Sequence, residues 1–205
     1  CRMQRTEVTQ LQWMIVMGNN PSIFVGLDHP VYNMHFKEFL EFISKVNEMD
    51  GTHYRLPTEL EWTTACLAGS KGEWGRRKNG EEGSSEFWNR ANIWEGTGGT
   101  DEKDIHPHPI AIKEPNAWGF YDMHGNVAEF CRVTDPETKS RIPWVDDKAL
   151  NDYIKSEPER KADYLCLHRL VLCGGDFNSA DISSRARRNC SWRKYAGFRL
   201  VESEK

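Results

Sequence analysis

The residues able to do chemistry are concentrated late in the chain, between Cys173 and Val201, in the run CGGDFNSADISSRARRNCSWRKYAGFRLV. It opens on Gly174-Gly175 and closes on Gly197-Phe198-Arg199-Leu200, and the residues between are small, polar and arginine-rich with scattered aromatics. Arg185, Arg187, Arg188 and Arg193 could grip a phosphate. Salt bridges on a solvated face are the commoner use of such a cluster. The six cysteines are Cys1, Cys66, Cys131, Cys166, Cys173 and Cys190; none lies in a C-x-x-C and none is grouped with histidine at zinc spacing. Cys66, inside a helical pattern, reads as a small buried hydrophobe. His106-Pro107-His108 could bind a metal at a surface, although two histidines in a loop are more often incidental.

The elements that must position these residues are short. The chain has 205 residues, enough for one domain with its own core. Eight tryptophans and little regular hydrophobic periodicity point to a loop-rich fold in which large aromatics fill irregular space. A net charge of −4 offers nucleic acid no basic field. No apolar run reaches the ~18 residues of a membrane span. Residues 1–8 read as extended. Thr9 caps a short helix that Gly18-Asn19-Asn20-Pro21 ends. Phe36, Phe39, Leu40, Ile43 and Val46 give one apolar face to a helix over 34–48. Tyr54–Pro57 is extended, and Thr58 with Glu61 forms a capping box for a helix over 59–67, with Gly69 as its stop. Residues 70–100 are mostly loop, Pro109–Ile112 a short strand, and Gly125–Cys131 a buried strand. Residues 133–168 form a long charged insertion with a helix near 147–155. Leu170–Leu172 is a strand leading into Gly174-Gly175, and Gly197–Val201 is the last strand, paired with the strand ending at Gly175.

Five separated segments carry a family resemblance. They are Glu7-Val8-Thr9, Tyr54-Arg55-Leu56-Pro57-Thr58-Glu59-Leu60-Glu61-Trp62, Gly119-Phe120-Tyr121-Asp122-Met123-His124-Gly125-Asn126-Val127-Ala128-Glu129-Phe130, Gly174-Gly175-Asp176-Phe177 and Gly197-Phe198-Arg199-Leu200. In this order they resemble the formylglycine-generating enzyme (sulfatase-modifying factor) family, across almost the whole chain. The resemblance implies a single α+β domain over 1–205 with the C-type lectin-like fold of that family, loop-rich, with short strands and a few helices. It also implies a strand ahead of Glu7-Val8-Thr9, so the sequence is expected to begin inside the domain, with Cys1 a strand residue rather than a lipid anchor.

The family's enzymes hold copper through two cysteines in a C-x-x-x-x-C spacing after the paired glycines. Soft thiolates suit Cu(I). The matching positions here are Ser179 and Ser184, so the resemblance implies the fold without that chemistry, and no copper is expected. It points instead to the variable proteins of diversity-generating retroelements, the Treponema variable protein type among them, whose codons are rewritten at adenines between a fixed Gly-Gly and a fixed Gly-Phe-Arg. Such codons commonly end in a pyrimidine and cannot encode Glu, Lys, Met, Gln or Trp; residues 176–191 contain none of these. The implied ligand-binding face, over about 176–195, uses Asp176, Asn178, Ser179, Asp181, Ser183, Arg187, Asn189, Ser191, Trp192, Lys194 and Tyr195. Rigid aromatics and adaptable polar side chains suit such a face, although Phe177 and Trp192 could belong to the core. Arg185 and Arg199 read as framework partners.

The same resemblance implies a structural calcium ion held by Asp122, Gly125, Val127 and Glu129, whose hard oxygens suit Ca²⁺. The alternative is that Asp122 caps a turn and Glu129 pairs with an arginine. A second calcium site would start at Asn92 and Ile93. The expected protein is a monomeric, non-enzymatic binder of an unknown protein or surface ligand. It is expected outside a bacterial cell or on its surface, with lipid anchoring through a preceding segment as one route. The alternatives are a divergent oxidoreductase acting on protein cysteine, and an accessory domain whose polar face is ordinary surface.

Overall fold

The computed structural model describes residues 2–69, 90–91, 106–132, 156, 170–177 and 195–203. The expected helix near 147–155 and most of the polar face lie outside these residues. Strand β1 is Arg2–Met3 and helix α1 is Gln10–Met17. Helix α2 is Phe36–Asp50, β2 is Tyr54–Arg55 and α3 is Glu59–Leu67. Strands β3 (Ala128–Arg132), β4 (Leu170–Cys173), β5 (Ala196–Gly197) and β6 (Val201–Glu202) follow.

Local chemistry starts each helix. The Gln12 N–H donates to Thr9 Oγ1 at 3.1 Å and the Thr9 N–H donates to Gln12 Oε1 at 2.9 Å. Thr58 and Glu61 repeat the pattern at 3.1 and 2.8 Å. At α2 the His35 N–H donates to Glu38 Oε2 at 2.8 Å. Each arrangement satisfies backbone donors that the first helical turn leaves free. Gly18 ends α1 in the left-handed region, with φ +76°. Helix α3 stops at Ala68, φ +47°, one residue before the expected glycine.

The strands form two three-stranded sheets, ordered β1-β6-β2 and β4-β3-β5. Two sequence expectations change here. Pro109–Ile112 is a turn rather than a strand, because the Ala111 N–H turns in to Asp122 Oδ2 at 2.8 Å, with Ala111 at φ +59°. Gly197–Val201 is not one strand. Ala196–Gly197 joins the β3 sheet, and Val201–Glu202 crosses to the other, between β1 and β2. The strands flanking the polar stretch therefore do not pair with each other; β3 lies between them.

Phe198 sits where the chain passes between sheets and is fully buried. Its ring meets Trp13 of α1 edge-on, with centroids 6.3 Å apart, and Phe39 and Phe42 of α2 at 5.4 and 5.5 Å. Trp13 and Phe42 stack at 5.1 Å. Burying a side chain of this size is worth about 2–3 kcal/mol, so Phe198 joins both helices to the sheets. Phe42 was not on the apolar face expected for α2. Leu40 and Val46 only half-face the core. Residues 4–8 run beside 198–200, with Val8 N–H to Phe198 O and Gln4 N–H to Leu200 O both at 2.8 Å.

Candidate functional site

Both ends of the polar stretch converge on one residue of β3. Glu129 is the register partner of Cys173 on β4, antiparallel, and of Gly197 on β5, parallel. Past β4 the chain turns through Gly174 and Gly175, at φ +89° and +70°. A Cβ at Gly174 would come within 3.1 Å of the Trp62 ring, so this turn favours glycine on conformational and on steric grounds. The Gly125 N–H donates to Gly174 O at 2.8 Å, and the Phe177 N–H to Asn126 O at 3.1 Å. Phe177 is buried and meets Tyr195, from the other end, edge-on at 4.9 Å. The segment between them is thus clasped at both ends against the Gly125–Glu129 stretch.

Of the expected ligand-binding residues, Asp176 and Tyr195 are described, and both are half-buried. Asn178, Ser179, Asp181, Ser183, Arg187, Asn189, Ser191, Trp192 and Lys194 lie outside the described residues, as do Ser184, Asn92 and Ile93. Phe177 belongs to the core.

Under the clasp lies a buried charge cluster. Arg199 donates from Nε to Glu129 Oε2 at 2.6 Å and from Nη2 to Glu129 Oε1 at 2.5 Å. Trp62 Nε1 adds a bond to Glu129 Oε2 at 3.0 Å. Arg199 also donates to the carbonyls of Arg5 and Tyr121, each at 3.1 Å, and of Gln4 at 3.4 Å. Neither Glu129 nor Arg199 is reached by solvent. Truncating one partner of such a buried pair strands the other charge, typically at a cost of about 3–5 kcal/mol. Asp122, at φ +55°, accepts the Ala111 N–H on Oδ2 and lies within the expected calcium set with Gly125, Val127 and Glu129, all buried.

Glu7 was singled out in the sequence only as part of Glu7-Val8-Thr9, yet it is fully buried and joins this cluster. Burial, then the nearby Asp122 and Glu129 carboxylates, raise its pKa well above the usual range. Its one legible signal was its place in Glu7-Val8-Thr9, one of the segments that carry the resemblance.

Nearby, Cys66 Sγ lies 3.7 Å from His124 Nε2, at the edge of a cavity of about 60 Å³ also bordered by Arg90, Asn116 and Met123. Burial pushes the Cys66 thiol up to about 12, and burial with the neighbouring Arg90 charge holds His124 down to about 4. Both are neutral near pH 7, so the pair presents no thiolate nucleophile. The cavity is well below the ~300 Å³ of a typical ligand pocket. No helix among the described residues is long and apolar enough to cross a membrane.

The family described as "Sulfatase-modifying factor enzyme 1-like domain" matches residues 2–204. "Chaperone protein LppX" of Paenibacillus barcinonensis is 28% identical over 61% of this chain and 59% of its own length. "Inactive C-alpha-formylglycine-generating enzyme 2" of Mus musculus is 38% identical over 45% of this chain and 32% of its own. The chain thus spans less than two thirds of these relatives. Among solved structures, Treponema denticola variable protein 1 superposes with a TM-score of 0.63 at 25% identity, covering 97% of this chain and 82% of that one.

Proposed function

The chain belongs to the sulfatase-modifying factor enzyme 1-like domain family, and from that premise we propose that it binds a ligand and catalyses no reaction, as the variable protein of a diversity-generating retroelement. The observation that carries this reading is Ser179 and Ser184 at the positions where the family's enzymes would hold copper. A serine hydroxyl is a poor ligand for a soft metal. The similarity to a Treponema variable protein and the presence of an inactive relative support it.

The physical case rests on the clasp. Residues 176–195 leave from and return to opposite sides of Glu129, and Phe177 against Tyr195 closes the ends. A segment so anchored can change its side chains while the β3 sheet and its buried ion pair stay as they are. Its Asp, Asn, Ser and Arg side chains, with Trp192 and Tyr195, supply hydrogen bonds and rigid contact area for an unknown protein or surface ligand. Such a receptor belongs outside a bacterial cell or on its surface.

Copper(I) titration, with oxygen uptake on a cysteine-containing peptide, tests the reading against the oxidoreductase alternative. The expected result is no stoichiometric copper(I) site and no oxygen consumption above the uncatalysed rate. Steady turnover on the peptide would overturn it.

A further inference from the structure

From Val8 to Leu27 the chain carries no Asp, Glu, Lys or Arg, although these make up 28% of the whole. Seven of the eleven large hydrophobic side chains exposed among the described residues lie in this one run, on α1 (Leu11, Met14 and Ile15) and in the loop 23–27 that follows it. The loop is folded back on the start of the helix. The Leu11 N–H donates to Leu27 O at 3.1 Å. The buried Gln10 side chain accepts the Gly26 N–H on Oε1 at 3.0 Å and donates from Nε2 to Phe24 O at 2.9 Å. Tyr32 Oη accepts the Phe24 N–H at 2.8 Å, and the Phe24 ring stacks on His106 at 3.8 Å. The loop backbone is thus bonded inward, which holds its apolar side chains at the surface instead of letting them fold under.

We propose that this surface pairs with the same surface of a second copy of the chain, giving a two-fold dimer. Contiguous exposed apolar patches beyond a few hundred Å² are rare on monomers and mark interaction sites. Seven half-exposed side chains of this size supply a large share of the ~800 Å² per partner that a standard stable interface buries. A two-fold interface sets a patch against itself. A patch of one charge would then meet its own sign, which opposes pairing, whereas a run without charge meets no such conflict. Its exposed polar side chains, Gln12 and Asn19, are uncharged amides. The first charge along the chain after it, Asp28, has its carboxylate 2.9 Å from His29 Nδ1. A lipid surface is the poorer match, because segments that lie on membranes add Lys or Arg facing anionic headgroups to their apolar area, and this run has neither. A dimer replaces the monomer expected from the sequence, and it is independent of whether residues 176–195 bind a ligand.

Sedimentation velocity on the full chain at micromolar concentrations tests this. The wild type is expected to sediment with twice the 23.8 kDa mass of one chain. Ile15→Glu and Val25→Glu each place two like charges in the paired surface, at side chains 67% and 70% exposed that the fold does not need buried. Each is expected to weaken the dimer at least a hundredfold while keeping the wild-type circular dichroism spectrum. Leu60→Glu, at an exposed apolar residue of α3 outside the run, is expected to leave the dimer intact. A wild type that stays monomeric at every concentration would overturn the proposal, as would a dimer that both Ile15→Glu and Val25→Glu leave unchanged. Co-sedimentation with vesicles of phosphatidylcholine and phosphatidylglycerol is expected to show no binding. A monomer that binds those vesicles, and loses them on Val25→Glu, would assign the surface to lipid and overturn the dimer.

Discussion

Glu129 and Glu61 are both carboxylates paired with an arginine, and burial separates their behaviour. Glu129 is sealed from solvent and its pair with Arg199 sets the geometry of the sheet crossing. Glu61 is part-exposed, takes two bonds from Arg55 at 2.7 Å each, and also caps α3 through Thr58. The Arg55 hydrogen bonds above all hold the Glu61 carboxyl down, from 4.5 to about 2. A folded-state pKa below the unfolded one means the unfolded chain binds more protons in the interval between them. The stability Glu61 contributes is therefore fully present above about pH 4.5 and is lost as pH falls through about 2. Glu61→Gln should lower the melting temperature at pH 7 by a few degrees, and the gap from the wild type should close across that window; an equal gap at pH 7 and pH 2 would contradict the assignment. Glu61 was legible in the sequence because its partner Thr58 is three residues away. Of the buried cluster, Asp122 with Glu129, an arginine partner for Glu129 and a framework role for Arg199 were all readable through the resemblance, but the place of Glu7 among them was not, because nothing local distinguishes a buried glutamate from an exposed one when its partners are far along the chain.

Helices α1 and α3 were legible for the same reason, whereas α2 was read from its apolar spacing and runs over Phe36–Asp50 rather than 34–48. Thr9 with Gln12, and Thr58 with Glu61, specify their own helix starts, and the structure puts them there. Strand pairing depends on distant partners, and there the sequence was ambiguous. Residues 197–201 look like one continuous strand, but Gly197 and Val201 belong to different sheets. Gly197 marks the crossing. A Cβ there would lie 2.8 Å from Val127 Cγ2 and 2.8 Å from the Val31 carbonyl oxygen, and the backbone contact cannot yield easily. Gly197→Ala is expected to cost about 1–3 kcal/mol in urea unfolding. An unchanged midpoint would mean that the crossing is loosely packed.

At the scale of the whole molecule, the aromatic core and the buried ion pair, as described, are assembled from residues on either side of the stretch between Phe177 and Tyr195. Phe198 ties α1 and α2 to the segment that crosses between the sheets, and Arg199, its neighbour, ties that segment to β3 and to residues 4–5. The fold was legible because the Gly-Gly, Gly-Phe-Arg and Gly125–Glu129 segments are this scaffold, read in pieces. On the proposed reading the ligand was not legible, because a face free to vary would carry no fixed pattern. The account therefore depends on where variation falls, and sequencing the gene copies and alleles of this chain measures that directly. It predicts differences concentrated at adenine-derived codons between 176 and 195, with the Cys173–Gly175 and Gly197–Val201 flanks unchanged. Differences spread evenly along the chain would contradict it.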